Sequence, residues 1–367
     1  MKKNFLGKIA VSAALVVGAI APVAAQNKVV NVYNWAEYLA EDTLPGFERT
    51  TGIKVRYDTF DTNDIVQAKL LAGNSGYDVV TPSTHYAARY IEGKLLQPFD
   101  KSKIPNFKHL DPDIMAVVAQ VDPGNNYLIP WGFGTNGLGY NVTKVKEIFG
   151  ADADIANWDM LFKPENASKL KECGISLLDE PAQVLPAVLH YIGKDPNSSD
   201  EKDIRAAFDV LKKIRPFIRQ FSSSGYINEL AAGDLCMVYG FNGDVMIAAD
   251  RAKEAKKSFE VNYFIPKGGA PVWFDTMAIP ADAKNVDEAH AFINYIEMPE
   301  VHAAITNKMF YPNANKSARE FVKKEIAENK QLYPDEAVSK TLFVIKPQPL
   351  KILRLETRLW ADLKAGK

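Results

Sequence analysis

Val29-Val30-Asn31-Val32-Tyr33-Asn34-Trp35-Ala36-Glu37-Tyr38 opens the stretch that decides the fold. Its first five residues read as a buried strand, mostly apolar and β-branched. A helical pattern carrying Leu44 and Phe47 follows, and Gly52 ends it. Residues 53–57 then alternate as a second strand, residues 63–71 read as a helix, and residues 77–80 form a third strand stopped by Pro82. Strands alternating with helices are βαβ units, which build a mostly parallel sheet flanked by helices. Such sheets hold their ligands in the loops beyond the carboxyl ends of the strands. Residues 34–38 and 83–86 fall in those loops.

Outward from this stretch, Ile-Pro steps recur at Ile129-Pro130, Ile265-Pro266 and Ile279-Pro280. Proline lacks a backbone N–H, so each step predicts the end of a strand. Two of them border glycine-rich stretches, residues 132–139 and Gly268-Gly269, which read as crossings between two lobes where the chain bends freely. The 367 residues are also about twice one domain's usual length. The expected fold is therefore α/β with two lobes. Each is a mostly parallel sheet flanked by helices, and the ligand cleft lies between them. The expected bounds are residues 26–135 plus 268–311 for one lobe and 136–267 plus 312–367 for the other. Within the second, residues 154–172, 203–221 and 244–257 look helical and 235–239 look like a strand. The tail from Ala318 reads as helical.

Residues 1–25 predict an export leader. Lys2, Lys3 and Lys8 make a basic start, residues 9–20 are apolar, and Ala21-Pro22-Val23-Ala24-Ala25 places small residues before a cut ahead of Gln26. The apolar run is shorter than the ~20 residues a membrane span needs. No cysteine adjoins the cut to carry a lipid. Apolar residues make up 47% of the chain and charged residues 24%, as in a globular protein with a full core. Lys and Arg number 44 against 45 acids, so no polybasic surface points to nucleic acid or an anionic membrane. Cys173 and Cys236 are too few for a disulfide scaffold or a four-thiolate zinc site. In an exported protein they are either a disulfide or two separate buried thiols, because spacing does not set distance.

Catalytic patterns fail on inspection. Gly132-Phe133-Gly134-Thr135-Asn136-Gly137 matches the G-x-G-x-x-G fingerprint, but the third glycine leads into Leu138-Gly139-Tyr140-Asn141, which reads as strand rather than helix. The histidines, among them His85, lack paired ligand spacing. Ser222-Ser223-Ser224-Gly225 is not a nucleophile elbow, and the acids at 152–157 lack the rest of a calcium loop. The sequence thus predicts neither an enzyme, a metal nor a cofactor.

Aromatic residues beside acids recur at predicted loops. Trp35-Ala36-Glu37-Tyr38 follows the first strand, Asp179-Glu180-Pro181 follows an apolar run, and Phe241-Asn242-Gly243-Asp244 follows the strand ending near Tyr239. Trp273-Phe274-Asp275 follows the second crossing. Carboxylates give ammonium groups charge-assisted hydrogen bonds, and aromatic faces cover methylenes and attract cations. Gathered around one cleft, such loops suit an organic polycation. Taken singly, Asp244 is as readily the N-cap of a following helix.

These same segments, with Gly76-Tyr77-Asp78-Val79-Val80, Pro82-Ser83 and Ala278-Ile279-Pro280, resemble the periplasmic polyamine-binding proteins of ABC importers, the putrescine- and spermidine-binding family, across the mature chain. The resemblance implies a type II periplasmic-binding fold, a periplasmic location and a membrane permease as partner; a monomer is the expected state, and the sequence leaves other states open. It implies that Asp244 and Asp275 bind ammonium, that Trp35, Tyr38, Trp273 and Tyr311 are the aromatic walls, and that Ser83 is a polar contact. It also implies a Cys173–Cys236 bridge. Putrescine-type members tend to carry Asp at Glu37, Trp at Phe241, Glu at Gln183 and a small residue at Glu180. Trp273, Glu37 and the extra acid Glu180 therefore tilt the expectation toward spermidine. His85 stands where the family varies with ligand length; neutral, it would accept from an ammonium, and charged it would repel one. The rivals are a polyamine-sensing receptor and a receptor for another solute. An amino acid would call for an Arg, and ferric ion for paired tyrosines.

Overall fold

The computed structural model describes residues 28–367, so the expected leader lies outside the described residues. β1 (Val29–Trp35) lies between β2 (Lys54–Phe60) and β3 (Val79–Val80) and is parallel to both. The helix Thr43–Thr51 connects β1 to β2 and is closed by Gly52 at φ 72°, a left-handed conformation that suits glycine. The helix Asn63–Ala72 leads from β2 toward β3. Val30 and Val32 of β1 face one core with Phe47 and Phe292, and Tyr33 faces another with Tyr86 and Tyr90. Both faces of the sheet are covered, as parallel sheets require.

The later strands are β4 (Leu96–Gln97), β5 (Ile129–Asn141), β6 (Ile175–Leu177), β7 (Gln220–Phe221), β8 (Met237–Phe241) and β9 (Val261–Phe264). β10 (Pro271–Met277), β11 (Ile279–Pro280) and β12 (Phe343–Val344) complete the set. β5 joins the two halves of the molecule. Its first half pairs antiparallel with β10, and its second half runs between β8 and β9, antiparallel to both. Beyond β8 lie β6 and then β7, all parallel, and β12 lies parallel to β10. A large core spans Leu138, Leu177, Phe208, Tyr239 and Trp360, distinct from the cores around β1. The molecule is a two-lobed α/β protein.

The expected bending at residues 132–139 is replaced by one continuous strand. The glycines serve close packing instead. A Cβ on Gly134 would meet the Trp273 indole at 2.5 Å, and one on Gly139 would meet the Val245 side chain. Ile129-Pro130 begins β5 rather than ending a strand. The register slips there, with Asp275 opposite Gly132 but Thr276 opposite Pro130, so the missing N–H falls at a bulge. The helix expected over 154–172 is broken by Pro164 into Asp159–Phe162 and Pro164–Leu170. In place of the continuous helical tail, two four-residue helices, Lys324–Ala327 and Glu336–Ser339, precede Leu350–Lys364.

Cys173 and Cys236 form a disulfide, with their Cα atoms 5.6 Å apart. They lie just before β6 and β8, which pair, so the bond pins two neighbouring strand starts. The sequence separation is 63 residues. Closing a loop of that length stabilises the fold by about 2–4 kcal/mol through the unfolded chain's lost freedom. Replacing both cysteines by serine is expected to lower the unfolding free energy by that amount in urea titrations. Unchanged stability would show that the bond is not a structural staple.

Among the described residues, no helix is long and apolar enough to cross a membrane. No group of three or more His, Cys, Asp or Glu among them is placed to hold a metal ion.

Candidate functional site

The carboxyl ends of β1 and β2, the start of the helix Thr84–Glu92, β10 and the end of β8 surround one pocket. It is lined by Trp35, Glu37, Tyr38, Ser83, Gln183, Phe241, Asp244, Trp273, Asp275 and Tyr311. Ten of the twelve expected ligand-binding residues thus share one cavity. Glu180 and His85 do not line it.

Two carboxylates dominate the site. Asp275 is 2% exposed and accepts hydrogen bonds from the Tyr38 hydroxyl and the Ser83 hydroxyl, each at 2.6 Å. Asp244 is 7% exposed and accepts from the Tyr311 hydroxyl at 2.6 Å and the Tyr226 hydroxyl at 2.8 Å. Asp244 is no N-cap. The helix Asn242–Glu254 has already started, and the side chain turns into the pocket from its first turn. Neither carboxylate has a salt-bridge partner among the described residues. Burial pushes Asp275 up to about 7, against the pull of Ser83 and Tyr38, and Asp244 adds to the rise. Burial likewise pushes Asp244 up to about 6, opposed by its two tyrosine donors. Each carboxylate uses two of its roughly four acceptor sites on hydroxyls and keeps the others for a donor in the cavity.

Aromatic rings wall the space between them. Ring centroids run 6.3 Å from Trp35 to Tyr38, 5.5 Å from Tyr38 to Tyr311, 5.3 Å from Tyr311 to Trp273 and 5.5 Å from Trp273 to Phe241. Glu37 takes a left-handed backbone conformation at φ 61°, an uncommon choice for a non-glycine residue. Its carboxylate stands half-exposed at the rim, paired with Arg251 at 2.9 Å. The three tyrosine hydroxyls point at carboxylates, and burial raises Tyr38, Tyr226 and Tyr311 well above the usual phenol range.

A match to the family model for bacterial extracellular solute-binding proteins covers residues 45–334. The chain belongs to that family. It is 48% identical to the putrescine-binding periplasmic protein PotF of Escherichia coli (strain K12), over 100% of this chain and 99% of that one. It is 34% identical to a spermidine/putrescine-binding periplasmic protein of Salmonella typhimurium, over 91% of each. Among solved structures, the spermidine/putrescine ABC transporter substrate-binding protein PotD from Streptococcus pneumoniae superposes with a TM-score of 0.73 at 29% identity, covering 92% of this chain and 99% of that one.

The two expected residues outside the lining of this solute-binding protein's pocket lie buried. Glu180 is 1% exposed, and its Oε1 accepts from the Asn63 amide at 3.3 Å. Burial, reinforced by Asp64, pushes it up to about 8, so it is largely neutral at pH 7. The same Asn63 amide donates to Ser83 Oγ at 3.1 Å, which links Glu180 to Asp275 through Ser83. Burial pushes His85 down to about 3, so its ring is neutral, and it packs edge-on to Tyr86. Asp179 serves the C-terminal helix instead, bonding Trp360 and Lys364.

The sequence reading missed Ala36, Phe60, Asp61, Ser223, Ser224 and Ile227 in the lining. Phe60-Asp61 repeats the aromatic-acid pairing at the end of β2 and was legible on that ground. Ser223 and Ser224 were weighed only as nucleophiles. Tyr226 carries no local signal; only the fold brings its hydroxyl to Asp244.

The raised pKa of Asp275 sets a stability effect. In the unfolded chain the group ionises near pH 4, and in the folded protein near 7, so folding favours the protonated form. The resulting destabilisation is absent below about pH 4 and complete above about pH 7, on the order of 4 kcal/mol. Asp275→Asn removes the charge, so the ligand-free variant should be more stable than wild type at pH 8 by roughly 2–4 kcal/mol. That gain should vanish at pH 4 in urea titrations. A variant less stable at pH 8 than at pH 4, relative to wild type, would contradict the burial argument.

Proposed function

We propose that this chain is a periplasmic receptor that captures a linear polyamine, putrescine or spermidine, and delivers it to the permease of an ABC importer without chemical change. The observation that carries the reading is the pair of buried carboxylates, Asp244 and Asp275, which hold hydroxyl donors and no protein cation. Two ammonium groups on one flexible chain supply the missing positive charge at both ends. The aromatic walls cover the methylenes between them and add cation–π attraction. The names of relatives matched over nearly the whole chain support the same ligand class.

In this reading the lobes are residues 26–135 plus 268–311 and residues 136–267 plus 312–367. Asp275 then comes from the first lobe and Asp244 from the second, so one diamine bridges the two. Ligand is held when the lobes close over it, because only closure presents both carboxylates together. Export by the leader places the receptor where it meets external solute.

Calorimetric titration with putrescine, spermidine, arginine and maltose tests the assignment. Binding of the two amines alone is expected; binding of arginine or maltose in their stead would overturn it. Asp244→Ala and Asp275→Ala should each weaken amine binding by hundreds-fold, about 3–5 kcal/mol, by leaving an ammonium unpaired in a desolvated slot. A loss of only a few-fold would remove that residue from the site.

Affinity should also rise with pH. Amine binding requires both carboxylates ionised, and their positions near 6 and 7 mean that protons must leave on binding in acid solution. Between pH 5.5 and pH 8 the putrescine dissociation constant should tighten by roughly ten- to a hundredfold, the ligand staying fully protonated throughout. Calorimetry in buffers of different ionisation enthalpy should register proton release near pH 6 and little at pH 8.5. A flat profile would mean that the carboxylates are already ionised before binding.

A further inference from the structure

Four acidic side chains line the pocket, and three of them are committed. Asp244 and Asp275 are buried under pairs of hydroxyl donors. Glu37 is neutralised at the rim by Arg251, which also bonds Asn228 Oδ1 at 2.8 Å and is therefore held in place. The fourth is Asp61. It lines the pocket, lies exposed, and has no salt-bridge partner among the described residues.

The fold fixes where Asp61 stands. β1 and β2 run parallel with Trp35 opposite Phe60, and the Ala36 N–H donates to the Phe60 carbonyl at 3.3 Å, so the two strands end level. Glu37 and Asp61 are thus the acids just past two adjacent strand ends. Phe60 packs on Trp35 with ring centroids 4.4 Å apart, which brings an aromatic wall directly up to the Asp61 backbone. Glu180 lies behind this lining, buried against the Asn63 amide.

We propose that Asp61 is a specificity-determining residue that holds the third nitrogen of a triamine reaching past the two buried carboxylates, so that it sets the preference for spermidine over putrescine. The inference rests on the polyamine reading of the pocket. A diamine satisfies Asp244 and Asp275 and ends there. A triamine carries a further cationic nitrogen on a methylene spacer, and Asp61 is the lining carboxylate whose charge the protein leaves open. Solvent around Asp61 screens the pair, so its effect is a preference rather than a requirement.

The test measures putrescine and spermidine by calorimetry on the full mature chain, for wild type, Asp61→Asn and Asp61→Lys. The ratio of spermidine to putrescine affinity should fall about three- to tenfold in Asp61→Asn and further in Asp61→Lys. The Asp61→Asn drop should shrink in 0.5 M salt, as an exposed ion pair requires. If wild type binds both amines and the ratio stays within twofold in both variants, the Asp61 assignment is overturned while the polyamine reading stands. If wild type binds neither amine, both fail together.

Discussion

Two carboxylates buried without a cation are the constraint on which the rest of the site depends. A lone ionised carboxylate inside a protein is costly, and proteins ordinarily pair it or protonate it. Here each is bonded by two hydroxyl donors, with Arg251 acting on Asp244 from the rim, and these lessen the burden without cancelling the charge. The surrounding rings add no charge of their own. Such an arrangement is poorly balanced by itself and becomes balanced when positive charge enters. On the proposed function the electrostatic deficit is therefore the specificity device: an anionic or neutral solute makes it no smaller.

The fold delivers these groups through a few close contacts. β5 carries glycine at 134, which lets the Trp273 indole lie against the strand. Gly243 lets the Tyr311 ring press on the first turn of the helix bearing Asp244, so the phenol reaches the carboxylate while its oxygen accepts the Asp244 N–H at 3.1 Å. Opposite, the bulge between β5 and β10 falls beside Asp275, where Trp131 is the extra, unpaired residue of β5. Side chains from segments far apart in sequence are thus held by backbone packing.

Much of this was legible in the sequence because the early βαβ pattern is strongly periodic and because its loops carry unusual residue pairs. The first three strands and two helices follow from alternation and from Gly52. The pocket walls follow from Trp35, Tyr38, Phe241 and Trp273 standing beside acids. What failed did so for physical reasons. A glycine-rich stretch looks the same whether it bends or packs closely, and only the partners, Trp273 and Val245, decide. Ile129-Pro130 was misread because a proline at a bulge resembles a proline at a strand end. Glu180 has the right chemistry, but how deep a side chain lies behind a wall is set by tertiary packing, which local pattern does not encode. Tyr226 was invisible for the same reason.

On the proposed lobe boundaries, the same charges explain why capture and closure belong to one event. Asp244 adds to the protonation of Asp275 because the two are like charges in one desolvated space, and Glu37 does the same to Asp244. Separating the lobes relieves that repulsion and readmits water to both. Closing them without a ligand therefore works against two desolvation terms and one repulsion. A diamine reverses the sign of the interaction, since each ammonium attracts the carboxylate of its own lobe and screens it from the other. On the proposed function the ligand thus binds the closed form better than the open one, and a shift from mostly open to mostly closed needs a differential of about 5 kcal/mol. Two charge-assisted contacts in a water-poor slot are of that size. A monoamine makes one of them and leaves the second carboxylate uncompensated, so it should bind without holding the lobes together.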